Sequence, residues 1–194
     1  MFFNTHRLYN IVSAMFSAPF IAALVTALLY IYAVITIIEL LILFLSIVII
    51  PLVVSILWAW SKGIQWDYPE RRHRITPFSL IVFGYFLGFS FLYIMPSTMY
   101  SKILVFSYLL NGFISLVITL WYKISIHVVG IAGPATFLYL INYIGSSIMF
   151  YILSVIVSYS RYRLKRHTLP QIILGYTVAI STTYIAYIVC TSYL

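Results

Sequence analysis

The sequence predicts an all-α bundle of membrane-crossing helices, and three observations carry that prediction. Of 194 residues, 64% are hydrophobic and only 7% are charged, where a soluble domain is near half apolar and about a quarter charged. Aromatic side chains make up 19%, which excludes a disordered chain, since such chains are polar and poor in aromatics. The apolar residues fall into runs near the ~20 that a helix needs to cross a bilayer, parted by short polar strips. The length suits one compact integral membrane domain over residues 1–194.

From Ile11 to Trp60 the only charge is Glu39, a run too long for one span and right for two. Pro19 suits the first turn of the first helix, where its missing N–H costs little, and Glu39 then falls near the turn between the two spans. Residues 61–76 break the pattern with Lys62, Asp67, Glu70, Arg71, Arg72, His73 and Arg74. Pro77 to Met95 and Lys102 to Trp121 are two further spans, parted by the turn-like Pro96-Ser97-Thr98. The stretch from Val128 to Ser158 is interrupted at residues 142–147, where clustered Asn, Gly and Ser read as a turn. It is expected as two short, tilted helices. After the basic strip Arg161–His167, a last span runs from about Ile172 to Tyr193. The count is seven segments, or six if one does not cross.

Seven spans place the N-terminus and all three polar strips (61–76, 122–127 and 159–171) on one face. That face carries ten Lys and Arg against Lys102 alone on the other, a bias that marks the cytoplasmic side. The net charge of +8 therefore points to phosphate-bearing lipid in the bilayer, not to nucleic acid, which calls for a basic patch on a soluble fold. Trp58, Trp60, Trp66, Trp121 and Tyr122 read as an interfacial belt, Lys62 and Arg163 as anchors, and Gly130, Gly133 and Gly145 as helix-packing positions. A single cysteine, Cys190, excludes an intrachain disulfide.

His6, His73, His127 and His167 all fall on the cationic face. Their spacings fit no common zinc pattern, and their Arg and Lys neighbours repel a metal. Asp67 and Glu70, the only acids outside the apolar runs, do not make a magnesium site. No metal or other cofactor is expected. Cations with histidines suit a phosphoryl group instead. Arg offers forked donors to phosphate oxygens and Lys a point charge, while histidine attacks phosphorus or protonates a leaving oxygen near neutral pH.

The strip Ser160-Arg161-Tyr-Arg-Leu-Lys-Arg-His167-Thr-Leu-Pro-Gln171 is similar to the signature Ser-Arg-x5-His-x3-Asp of the type 2 phosphatidic acid phosphatase superfamily, with Gln in the last place. Lys123-Ile-Ser125-Ile-His127 resembles that family's Pro-Ser-Gly-His motif and keeps its Ser-x-His core. The first motif, Lys-x6-Arg-Pro, has only a divergent counterpart in residues 67–78, and the resemblance covers roughly residues 62–171.

The resemblance implies roles. His167 is the nucleophile that forms a phosphohistidine, and His127 is the acid that protonates the departing lipid oxygen. Arg161 and Ser125, with Arg71 or Arg74, bind phosphate oxygens. Lys123 lies outside the family pattern and is an extra cation two residues from Ser125. Gln171 replaces an acid that steadies the nucleophile; at i, i+4 on a helix its amide oxygen can still accept from His167. The substrate implied is a lipid phosphate or diphosphate whose tail enters from the bilayer between helices. An isoprenoid (polyprenyl or geranylgeranyl) is preferred, with phosphatidic acid or phosphatidylglycerophosphate as the alternative. A non-catalytic lipid-phosphate binder or transporter is the competing class.

Overall fold

The computed structural model describes residues 5–64 and 71–193. Asp67, Glu70 and Trp66 lie outside the described residues, as do the side chains of His6 and Arg7. Among the described residues every regular element is a helix. A short α1 (Thr5–Met15) precedes α2 (Ala18–Ile31), and α3 (Ile37–Lys62) is one continuous helix. A 3-10 turn, Arg72–Arg74, leads into α4 (Ile75–Ile94), followed by α5 (Met99–Thr119), α6 (Ile126–Leu140), α7 (Ile144–Arg163) and α8 (Leu169–Tyr193).

The helices α3, α4 with its 3-10 turn, α5, α7 and α8 are the five described elements long and apolar enough to cross a membrane. The other two apolar segments are shorter. At 1.5 Å per residue, the 14 residues of α2 and 15 of α6 span about 21 and 23 Å, under the ~30 Å hydrocarbon core. The two short helices run side by side in the same direction. A Cβ on Gly130, near the start of α6, would stand 2.4 Å from Ala18 Cβ at the start of α2. At their other ends Tyr32 stacks on Tyr143 with ring centroids 4.7 Å apart. Every residue of α6 from Val128 to Leu138 is buried, as befits a helix that is apolar all round, and α2, α5, α7 and α8 pack about it.

Helix ends follow local chemistry. Ser17 takes extended backbone angles before α2, and Pro19 stands in its first turn. The stretch from Val128 divides in two as expected and α6 is short, but the second helix is not: Asn142, at a left-handed φ of 66°, ends the turn after α6, and α7 then runs a full 20 residues. That extra length carries α7 past Ser158 to Arg161 and Arg163. Gly145 departs from its expected packing role, since nothing lies within 4 Å of a Cβ placed there.

Glu39 is a structural clasp at the end of the bundle away from the cationic strips. It forms a capping box with Thr36, whose amide donates to Oε2 at 2.7 Å. Its Oε1 accepts from the hydroxyls of Thr98 and Ser101, each at 2.7 Å, and from the Thr98 amide, tying the start of α3 to the start of α5. Removing a carboxylate that serves several donors costs about 2–3 kcal/mol. Glu39→Ala is therefore expected to lower the melting temperature in detergent. At mid-bundle, Asn111 joins α5 to α8, donating to Thr183 Oγ1 at 2.9 Å and accepting from Thr182 Oγ1 at 2.8 Å.

Candidate functional site

The last turn of α7 and the first of α8 position His167. Lys165 adopts a left-handed φ of 53°. The chain folds back there so that the Lys165 amide reaches the Tyr162 carbonyl at 2.9 Å and the Arg166 amide the Arg161 carbonyl at 3.0 Å. This is a left-handed helix closure, usually made by glycine, that sets His167 one helical turn before Gln171. His167 is only 4% exposed.

The hydrogen bonds of Gln171 fix the imidazole tautomer. Its Oε1 accepts from the Thr168 amide at 3.3 Å and lies 3.1 Å from His167 Nδ1. An amide N–H only donates, so the Gln171 atom facing it is the oxygen, and His167 Nδ1 carries the proton donated to the same oxygen. The Nε2 atom then holds the lone pair, and it has no hydrogen-bond partner among the described residues. Burial pushes the imidazole pKa down to about 3, helped by the charges of Arg161, Arg74 and Lys123 and opposed by the bond to Gln171. At neutral pH His167 is an uncharged base.

The sign of the resulting pH dependence follows. The folded-state value of about 3 lies below the ~6.5 of an unfolded histidine, so the unfolded chain binds the extra proton in acid. The stabilising contribution is fully present above pH ~6.5 and is lost as pH falls toward 3, by about tenfold in the folding constant per pH unit. Melting in detergent between pH 7 and 4 is expected to fall more steeply for the wild type than for His167→Ala. Parallel profiles would contradict the buried, neutral histidine.

The start of α6 is docked against the same turn. The Ser125 amide donates to the Gln171 carbonyl at 3.3 Å, and a Cβ on Gly175 would lie 3.1 Å from the Ser125 carbonyl, so glycine permits this close approach. Ser125 precedes α6 in extended conformation without a side-chain capping bond. Its Oγ is buried and has no partner among the described residues. His127 stands in the first turn of α6, and that helix end offers amide donors and a positive dipole to an anion. Lys123 lines a groove of about 750 Å³ together with Arg163, Lys165, Arg166, His167 and Gln171.

The arginines divide by task. Arg161 is 2% exposed at the end of α7 and donates from Nη1 to Ser13 Oγ of α1 at 3.0 Å. Of the two first-strip candidates, Arg74 is buried and acts on His167. Arg71 instead donates to the Leu120 carbonyl at the end of α5, a helix-capping contact. Arg163 lies over the rings of Tyr9 and Tyr159, at 5.9 and 5.7 Å from their centroids, and Lys62 over Trp58 at 5.2 Å, as interfacial anchors do. The structure thus gathers His167, Gln171, Ser125, Lys123, Arg161 and Arg74 around one helix-to-helix turn, with His127 in the adjoining first turn of α6. Ser13 and Thr168 are members of this cluster that sequence reasoning missed. The first lies 148 residues from its partner Arg161, beyond any local pattern.

No protein-family model, curated protein or solved structure matches the chain.

Gln171 is the residue on which the geometry makes the sharpest distinction. If His167 is the nucleophile that the resemblance implies and becomes cationic, losing this bond would remove about 1.5–3 kcal/mol, or roughly 10–150-fold in rate. Gln171→Leu is expected to slow phosphate release by that factor, whereas Gln171→Asp is expected to match or exceed the wild-type rate. A complete loss in Gln171→Asp would overturn the role given to this side chain.

Proposed function

We propose that the chain is a membrane lipid phosphate or diphosphate phosphatase that works through a covalent phosphohistidine and needs no metal. One observation carries the proposal: His167 is held neutral, its Nδ1 proton committed to Gln171 and its Nε2 lone pair left over, within the field of Arg161, Arg74 and Lys123. A neutral imidazole is the nucleophilic form, and clustered cations are what a multiply charged phosphoryl group requires.

In the first step Nε2 attacks phosphorus, the bond to the lipid oxygen breaks, and protonated His127 gives its proton to the departing oxygen. The imidazole becomes positively charged as the N–P bond forms, and the Gln171 oxygen holds the proton at Nδ1. In the second step His127, now neutral, takes a proton from water as the water oxygen attacks phosphorus. The N–P bond breaks, phosphate leaves, and both histidines return to their starting forms. Arg161, Arg74, Lys123 and the Ser125 hydroxyl hold the phosphoryl oxygens throughout.

The seven apolar helices alternate in direction in a way that suits seven membrane segments, with α2 and α6 crossing as a short inner pair. On that topology the cationic face, with the site, lies in the cytoplasm by charge bias. The preferred substrate is an isoprenoid phosphate or diphosphate. The test is phosphate release in detergent with EDTA from geranylgeranyl diphosphate and from phosphatidic acid. Metal-independent release from either supports the proposal, and the faster one gives the lipid class. Binding of both lipids without release would make the chain a lipid-phosphate binder.

A further inference from the structure

Helices α3 and α4 touch at two heights and part between them. Deep in the bundle a Cβ on Gly84 would lie 2.7 Å from Ile50 Cγ2, and one on Gly88 2.5 Å from the Ser46 side chain. Small residues four apart let the two backbones close there. At the cationic end the Trp58 indole N–H donates to the His73 carbonyl at 3.2 Å. At the deep contact α3 changes its winding. Residues Phe44–Ile49 form a π-helix, in which the Ile50 amide reaches back to the Leu45 carbonyl, and Pro51 follows at once. Proline has no N–H and crowds the carbonyl four residues earlier; a wider π turn absorbs that crowding and redirects the helix.

The outcome is a cavity of about 150 Å³ whose apolar walls include Leu52 and Ile56 of α3 and Phe78 and Ile81 of α4. Its polar end carries Arg74 and His127. Arg74 is one of the cations that act on His167, so the polar end of the cavity borders the cationic cluster. At the lipid-facing rim stands Ile56, 53% exposed.

We propose that this window between α3 and α4 seats the hydrocarbon segment next to the phosphate, and that the enzyme is selective for single-chain lipid phosphates. The proposal rests on the phosphatase reading and names its substrate class. A cavity of about 150 Å³ takes up a group the size of benzene, room for one five-carbon isoprene unit or the first few methylenes of a chain. The rest of the tail stays in the bilayer, so chain length beyond that segment goes unread. A diacylglycerol phosphate brings a branch and two ester carbonyls to the same depth. Those carbonyls would lose water against largely apolar walls, at a cost of order 1–3 kcal/mol each.

Labelling of Ile56→Cys by a maleimide in detergent tests the proposal, with the buried native Cys190 giving little background. Geranylgeranyl phosphate is expected to slow labelling at least tenfold, and inorganic phosphate to leave it unchanged. Equal labelling with and without the lipid would overturn the window, and equal protection by phosphatidic acid would overturn the single-chain selectivity. In a second variant, Leu52→Trp, kcat/KM for geranylgeranyl phosphate is expected to fall at least tenfold further than that for para-nitrophenyl phosphate; equal effects would also overturn it. If the wild type releases phosphate from no probe, the phosphatase reading fails, and protection of Ile56→Cys alone then decides whether the window seats a lipid phosphate.

Discussion

His167→Ala is expected to lower phosphate release by about 10³-fold or more, because it removes the atom that forms the covalent bond in the proposed mechanism. The fold is expected to survive. His167 sits in the turn between α7 and α8, whose closure depends on backbone bonds from Lys165 and Arg166 rather than on the imidazole. The variant should therefore melt near the wild type at pH 7.5 and still bind lipid phosphate through Arg161, Arg74 and Lys123. Loss of activity with binding intact separates a nucleophile from a binding group. Unchanged activity would remove His167 from the mechanism.

The second large effect is expected at Arg161. It is almost wholly buried and its charge acts on His167; in the proposed mechanism its guanidinium offers forked donors where charge builds on the transferring phosphoryl group. Arg161→Ala should cost about 10²–10³-fold in kcat/KM. Arg161→Lys should recover part of it, since lysine restores charge but not the planar fork. Ser13→Ala provides the structural control. It removes the partner of one Arg161 donor without removing the charge, and should change kcat/KM by less than tenfold. If Ser13→Ala were as damaging as Arg161→Ala, Arg161 would be acting chiefly as a tie between α7 and α1.

Much of the molecule was legible because its cues are local. A proline in a first turn marked α2, and a lone carboxylate in an apolar run marked the turn before α3, where Glu39 caps the helix. The spacing of His167 and Gln171 implied that the two face each other at i, i+4 on a helix; the structure makes that contact from Nδ1 to the Gln171 oxygen, with His167 in the turn just before α8. What stayed hidden depends on the third dimension. Helix α7 runs on through Ser158, Ser160 and Arg161 because these polar groups are buried against neighbouring helices, which hydropathy alone reads as the end of a span. Lys165 takes a glycine-like conformation with no glycine to announce it. The choice of Arg74 over Arg71 turns on three residues of helical phase beside the undescribed stretch 65–70. Pro51 did leave a signal: a proline inside an apolar run implies a break in regular winding, and the π turn with its adjoining cavity is that break.

The covalent intermediate is the most direct test of the account. The protein, in detergent with EDTA, would be mixed with a ³²P-labelled lipid phosphate and quenched in alkali within one turnover. The account predicts label on His167 that survives base, is released by acid, and is absent from His167→Ala. It also predicts more label at the quench in His127→Ala when the leaving group is para-nitrophenol, which needs no protonation, because water attack is then the slowed step. Rapid phosphate release with no labelled histidine at any time point would contradict a histidine nucleophile and leave direct attack by water in its place.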